Sequence, residues 1–254
     1  LKVDGERYVT ENIYDENGNI TETVRYAAEI PAGIAYDEAS KIQFVSEVPA
    51  GVEAYVIIDP DHDQHTRTRY DALNRKIEVV DAEGYRETWN YDANGNLSSY
   101  INKNGHAIVD PTISGVLSQY YADRRFEILG REVDLNNLDE LDRQVLQDMY
   151  TTVYTYNEAD GLETEMTRYQ KVDGSSGIVE VINRHEYDAL GNRTRTTEAY
   201  GLTEQRVTRF EYDKLVLLVH TIHDGVDIYD TANSDTHHRR IVQTVQSIRT
   251  DPED

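Results

Sequence analysis

One short pattern recurs through this chain and constrains its fold more than any other feature. β-prone residues run into Tyr-Asp, a turn containing Gly or Asn follows, and β-prone residues resume. The pattern reads Tyr14-Asp15-Glu16-Asn17-Gly18-Asn19-Ile20, Tyr70-Asp71-Ala72-Leu73-Asn74-Arg75-Lys76, Tyr91-Asp92-Ala93-Asn94-Gly95-Asn96-Leu97 and Tyr187-Asp188-Ala189-Leu190-Gly191-Asn192-Arg193. Weaker copies stand at Tyr36-Asp37, Tyr156-Asn157 and Tyr212-Asp213. Such a unit is one hairpin. Asn-Gly tolerates the positive φ of a tight turn, and Asn74 can take the same left-handed conformation where Gly18, Gly95 and Gly191 stand in the other copies. The Asp carboxylate can accept backbone N–H groups of the turn, and the Tyr closes the preceding strand. Tyr14, Asp15, Gly18, Tyr70, Asp71, Tyr91, Asp92, Gly95, Tyr187, Asp188 and Gly191 are therefore the candidate site residues, as structural turns.

Between the units, residues alternate with period two. In Val179-Glu180-Val181-Ile182-Asn183-Arg184-His185-Glu186-Tyr187, Val179, Val181 and Tyr187 share a phase. That pattern predicts antiparallel sheet with partly solvated outer surfaces. The aromatic content agrees: 19 tyrosines stand against 3 phenylalanines and 1 tryptophan, and a tyrosine can bury its ring while its hydroxyl reaches water. The expected fold is all-β, an antiparallel repeat sheet of consecutive hairpins with one short helical insertion. Repeat hairpins occupy 1–26, 70–105 and 151–219.

Three segments depart from the repeat. Residues 27–69 carry a matched pair of turns, Ile30-Pro31-Ala32-Gly33 and Val48-Pro49-Ala50-Gly51, and read as an irregular β insertion. Residues 106–150 hold a predicted helix near 137–149, with Leu138, Leu141, Val145 and Met149 on one stripe, Asn137 as cap and Glu140 at the third helical position. In residues 220–254, Asp230 to His238 reads as a loop and Arg240 to Ile248 as a last strand before an acidic tail. Just upstream, Val216-Leu217-Leu218-Val219 reads as a buried strand. Asn102-Lys103-Asn104-Gly105 reads as a turn.

The chain carries 48 acidic and 25 basic residues, a formal net charge of -23. That balance argues against a nucleic-acid backbone or an anionic bilayer as partner and permits cationic partners and divalent metals without demonstrating either. With no cysteine, disulfides and thiolate chemistry are excluded. No apolar run is long enough to span a membrane as a helix. Leu1 at the start and Asp251-Pro252-Glu253-Asp254 at the end lead us to expect a fragment or processed product of a longer chain.

The Tyr-Asp units resemble YD repeats, the tyrosine–aspartate motifs of Rhs proteins, of insecticidal toxin-complex shell components and of teneurins. The match to Tyr-Asp-x-x-Gly-Asn/Arg is nearly residue for residue at Tyr14, Tyr91 and Tyr187; the copy at Tyr70 replaces glycine with Asn74. The resemblance implies a long antiparallel sheet that winds as a spiral, shell-like wall around an enclosed polypeptide cargo. It further implies a secreted or cell-surface, toxin-related protein, and partners that are the rest of the parent protein or other shell-forming chains. The aspartate-dependent self-cleavage segment of relatives has no counterpart here: Asp59-Pro60, Asp110-Pro111 and Asp251-Pro252 are lone dipeptides. Residues 27–69, 106–150 and 220–254 lie outside the resemblance.

Few residues suggest chemistry. Asp59, Asp61 and Asp63 alternate as in a calcium loop, but the glycine and terminal glutamate of such a loop are missing, so no metal site is assigned. His220-Thr221-Ile222-His223 and His237-His238 lack zinc-site context. No nucleophile elbow or phosphate loop is present; Gly174-Ser175-Ser176-Gly177 reads as a hairpin tip. The expected role is a non-enzymatic structural scaffold or shell segment without cofactor. The alternative is an extracellular module binding carbohydrate or a partner protein, and a third reading is a calcium-dependent adhesin segment.

Overall fold

Alternating, half-apolar sequence punctuated by tight turns folds here as it should, into antiparallel strands joined by hairpins. The computed structural model describes residues 1–31, 42–47, 55–159, 161–170, 178–230 and 235–244. The chain divides into two units, residues 1–89 with 102–107, and residues 90–101 with 108–254.

In the first unit, β1 (Lys2–Val3), β2 (Tyr8–Tyr14), β3 (Ile20–Glu29), β6 (Gln64–Tyr70), β7 (Lys76–Val80) and β8 (Arg86–Tyr91, of which the unit holds the part through Trp89) lie side by side in that order, each pair antiparallel. The interruption between β3 and β6 carries β4 (Gln43–Val45) and β5 (Tyr55–Ile57), a separate two-stranded parallel pair. Val9, Val24, Tyr26, Ile30, Ile42 and Val56 form one buried cluster, with Val3 and Phe44 against it. A lone sheet face buries little, so the core sits where residues of the insertion give β2 and β3 a second layer. Of the two Pro-Ala-Gly turns, Ala32-Gly33 and Val48 to Gly51 lie outside the described residues. α1 (Lys103–Ala107) occupies the segment read as a turn; Asn102 starts it by accepting the Asn104 and Gly105 amides at 3.0 and 3.3 Å.

In the second unit the strand order is β9 (Leu97–Ile101), β10 (Thr151–Tyr156), β11 (Leu162–Gln170), β12 (Ile178–Tyr187), β13 (Arg193–Glu198), β14 (Arg206–Tyr212), β15 (Leu218–Asp230) and β16 (Asp235–Thr244). Every pair is again antiparallel. Helices α2 (Gly115–Leu129) and α3 (Glu140–Asp148) lie between β9 and β10. Ile108, Val109, Tyr121, Leu146 and Met149 are buried there.

Helical content therefore exceeds the single expected segment. α2 gives no sequence stripe, because Val116, Leu117, Tyr120, Tyr121, Phe126, Ile128 and Leu129 surround its whole circumference. α3 begins later than expected. Asp134 accepts the Asn136 amide at 3.0 Å and the Asn137 side chain at 2.6 Å, winding Leu135–Asn137 into a separate 3-10 turn. Asn137 is thereby a donor to Asp134, and Asp139 caps α3 instead, its Oδ1 accepting the Asp142 amide at 2.8 Å. The buried position is Leu146, while Leu141 faces solvent.

Two other expectations are corrected. Val216 and Leu217 are exposed turn residues, and the strand starts at Leu218. Asp230 and Asp235 to His238 are strand, not loop: Asp230 pairs Asp235, and pairing continues through Asp227↔His238, with 231–234 outside the described residues. β16 is last in the strand order, a position that tolerates polar residues which would otherwise signal a loop.

Candidate functional site

The turn geometry repeats closely from copy to copy. In each, the Asp (or Asn157) Oδ1 accepts the amides of the residues two and four positions on. The pairs are Asn17 and Asn19 on Asp15, Leu73 and Arg75 on Asp71, Asn94 and Asn96 on Asp92, Ala159 and Gly161 on Asn157, Leu190 and Asn192 on Asp188, and Leu215 and Leu217 on Asp213. All lie between 2.8 and 3.0 Å. The Asp amide donates to the carbonyl four residues on, and the amide of the third residue donates back to the Asp carbonyl, as in Asp188 to Asn192 at 2.9 Å and Gly191 to Asp188 at 3.1 Å. That third residue has positive φ: Gly18 at 85°, Asn74 at 60°, Gly95 at 95°, Gly191 at 83° and Val216 at 63°. The register slips by one residue where Tyr14, Tyr70, Tyr156, Tyr187 and Tyr212 meet the partner strand, a bulge that lets an odd-length loop close a hairpin.

The second carboxylate oxygen has its own donor, which sequence reading overlooked. Asp15 Oδ2 accepts Asn19 Nδ2 at 2.9 Å, Asp71 Oδ2 accepts Arg75 Nε at 2.7 Å, Asp92 Oδ2 accepts Asn96 Nδ2 at 3.4 Å, and Asp188 Oδ2 accepts Asn192 Nδ2 at 3.0 Å. The signal was available: four residues after each of these aspartates stands Asn or Arg, the side chains that can donate back. These bonds favour the ionised carboxylate. The Asn19 and Asn192 side chains foremost hold Asp15 and Asp188 below the ordinary carboxylate pKa, and the Arg75 amide foremost does the same for Asp71. Two turns equivalent in geometry lack the Tyr before Asp: Asp4 accepts the Glu6 and Tyr8 amides at 3.0 and 2.9 Å, and Asp81 accepts the Tyr85 amide at 2.8 Å.

The tyrosines reach beyond their own hairpins. Tyr70 donates its hydroxyl to the Ile20 carbonyl at 3.0 Å, Tyr156 to Leu97 at 3.0 Å, Tyr187 to Leu162 at 2.8 Å, and Tyr212 to Arg193 at 2.9 Å. Each acceptor is the first residue of the strand that leaves the preceding Tyr-Asp turn. One hairpin is thus tied to the next through an oxygen that phenylalanine lacks. Asn19 Nδ2 also bridges the first two turns, donating to Asn74 Oδ1 at 2.8 Å.

The acidic loop does different work. Asp63 is buried, and its oxygens accept the Ala27 and Asp59 amides at 2.8 and 2.9 Å. Asp59 accepts the Asp61 amide at 3.2 Å and contacts His62 Nδ1 at 2.8 Å. Asp59, Asp61 and Asp63 do not converge on a common point, and among the described residues no three ligating side chains form a metal-sized group. His223 Nδ1 lies 3.1 Å from Thr208 Oγ1, and His185 Nδ1 3.1 Å from Thr196 Oγ1. The side chains of His237 and His238 and residues 171–177 and 245–254 lie outside the described set.

Residues 70–107 match the family model described as RHS Repeat. No curated protein matches the chain. Similar solved structures include a crystal structure of TcdB2-TccC3, 14% identical, with 92% of this chain and 11% of that chain covered and a TM-score of 0.40. Another is a Photorhabdus luminescens Tc holotoxin pore with mutated TccC3, 15% identical, covering 94% of this chain and 10% of that one, TM-score 0.36. The chain spans about a tenth of the length of the structures it matches. The stretch 70–107 that matches the RHS repeat model includes the turns at Asp71 and Asp92, and the same turn geometry recurs from Asp15 to Asp213.

Proposed function

We propose that this chain is a length of structural wall, a scaffold or shell segment of a larger secreted or surface-exposed, toxin-related protein, with no catalytic role. The observation that carries this reading is the tyrosine tie between successive hairpins. The ring and hydroxyl that a binding module would present to a ligand are committed here to the neighbouring hairpin. The Tyr-Asp carboxylates are likewise committed to their own turns. Both arrangements lengthen and stiffen a sheet and leave little chemistry at the motif. Partners on this reading are other parts of the parent protein or companion chains that continue the wall around a polypeptide cargo. No helix among the described residues is long and apolar enough to cross a membrane.

The test is the triple variant Tyr156→Phe, Tyr187→Phe, Tyr212→Phe. It keeps every ring and removes three hydroxyls, those of Tyr156 and Tyr187 in half-buried bonds worth about 1 kcal/mol each and that of Tyr212 in an exposed bond worth less. The expected result is a fall in Tm of several degrees with the far-ultraviolet spectrum unchanged. An unchanged Tm would sink the structural role of the tie. Retention of Tm together with lost adhesion to a glycan array would instead favour a binding module.

A further inference from the structure

The segment between β9 and β10 lies outside the repeat, and it contains a buried charge with no ion-pair partner among the described residues. Arg125 on α2 is only 9% exposed. Its guanidinium donates to the Ile108 carbonyl at 2.9 Å and makes no ion pair among the described residues. Burial alone pushes its pKa down. A guanidinium offers five N–H donors; Ile108 takes one, and none of the Arg125 nitrogens is a fully buried atom left without a partner, so the others stay accessible. Arg125 lines a cavity of about 510 Å³ beside α2 and the residues that follow it.

The rest of the cavity selects what could fill it. Asp123, Glu127 and Glu132 line it together with Phe126. Glu127 is paired with Arg124. Asp123 accepts Gln119 Nε2 at 2.8 Å; neither Asp123 nor Glu132 has a cationic partner among the described residues. Phe126 is 52% exposed, a large apolar ring at the surface of α2. A free anion would answer Arg125 but would meet three carboxylates at the same mouth. A peptide carbonyl answers Arg125 without bringing negative charge. Lys or Arg side chains beside it would meet Asp123 and Glu132, and an apolar or cationic side chain would cover the Phe126 ring.

We propose that the cavity beside α2, where a buried Arg125 without an ion-pair partner among the described residues meets the carboxylates of Asp123 and Glu132 and an exposed Phe126, docks a cationic polypeptide segment that also carries apolar side chains. The occupant inserts backbone carbonyls toward Arg125 and sets its basic side chains on the carboxylate rim. This site is independent of the wall reading and of the Tyr-Asp turns, since none of its residues belongs to them.

The full chain is titrated with a fluorescent peptide alternating Lys and Leu, and with one of equal length alternating Glu and Leu. Because the protein as a whole is strongly acidic, a cationic peptide also meets a diffuse attraction, and the variants separate the two. Asp123→Asn with Glu132→Gln removes the rim charges, and Phe126→Ala removes the exposed ring; circular dichroism verifies folding. Glu16→Gln with Glu158→Gln removes the same charge at hairpin tips. The expected result is binding of the Lys-Leu peptide that weakens about tenfold in each site variant and changes less than about twofold in the hairpin-tip control. Inorganic phosphate does not compete, and the Glu-Leu peptide does not bind. Equal loss in the hairpin-tip control would overturn the site in favour of diffuse attraction. Competition by phosphate, or binding of the Glu-Leu peptide, would make it an anion site. Absence of Lys-Leu binding to the unmodified chain would overturn it outright.

Discussion

Asp188 and its counterparts place both carboxylate oxygens inside their own turns, and two consequences follow at the scale of single residues. The first is a pH dependence. Asp15, Asp71 and Asp188 are held below the ordinary value of 3.8. A depressed carboxylate contributes stability that is complete above its unfolded pKa and is lost as pH falls through its folded pKa. Their contribution is thus intact at neutral pH and fades below about pH 4. Comparing Tm against pH for the unmodified chain and Asp188→Asn isolates one carboxylate from the many others that titrate there. The variant has the lower Tm at pH 7, and the two curves converge as pH falls toward 3. Parallel curves down to that pH would contradict the assignment. The second consequence concerns Val216. In four other copies the left-handed position holds Gly or Asn; here a β-branched residue takes φ 63°, a conformation costing such residues about 1–2 kcal/mol. Val216→Asn, borrowing the side chain that Asn74 already uses at this position, is expected to raise stability by about 1 kcal/mol in chemical denaturation. A lower or unchanged midpoint would mean that the valine is held there by a contact worth more than the strain.

At the scale of elements, hairpins were legible and helices were not. A Tyr-Asp hairpin is closed by bonds spanning four residues, so its own sequence suffices. Val216 to Val219 shows where composition misleads: four apolar residues in a row suggest a buried strand, yet Asp213 accepts the Leu215 and Leu217 amides and pulls the first two into an exposed turn. The same competition moved the start of α3, because Asp134 captured Asn137 before it could cap. α2 was invisible for the opposite reason. Its apolar residues run all round the helix, some covered and some, such as Phe126, not, and a period cannot be read from a ring. The candidate site was half legible. The Asp cap and the turn glycines could be named from spacing; the Asn or Arg that answers the second carboxylate oxygen stood at a fixed spacing and was overlooked.

At the scale of the whole molecule, a formal charge of -23 coexists with dispersed ion pairs such as Arg67 with Glu22 and Arg168 with Glu180. Surface pairs of this kind contribute under about 1 kcal/mol each, whereas the excess negative charge repels itself throughout the chain. Screening should therefore help more than it harms. Tm is expected to rise between about 0.02 and 0.5 M sodium chloride; a fall would show that the ion pairs outweigh the repulsion. By itself the sequence determined the hairpins, their turns, the antiparallel pairing and the acidic surface, because each follows from composition or from bonds within a few residues. Only the tertiary structure decided which carbonyl each tyrosine reaches, that a parallel pair accompanies a core on β2 and β3, and that Arg125 is buried with a carbonyl and no carboxylate as its partner among the described residues. Ile20 is fifty residues from Tyr70, and no local pattern encodes such a meeting: it exists only once strand order and register have brought the two together.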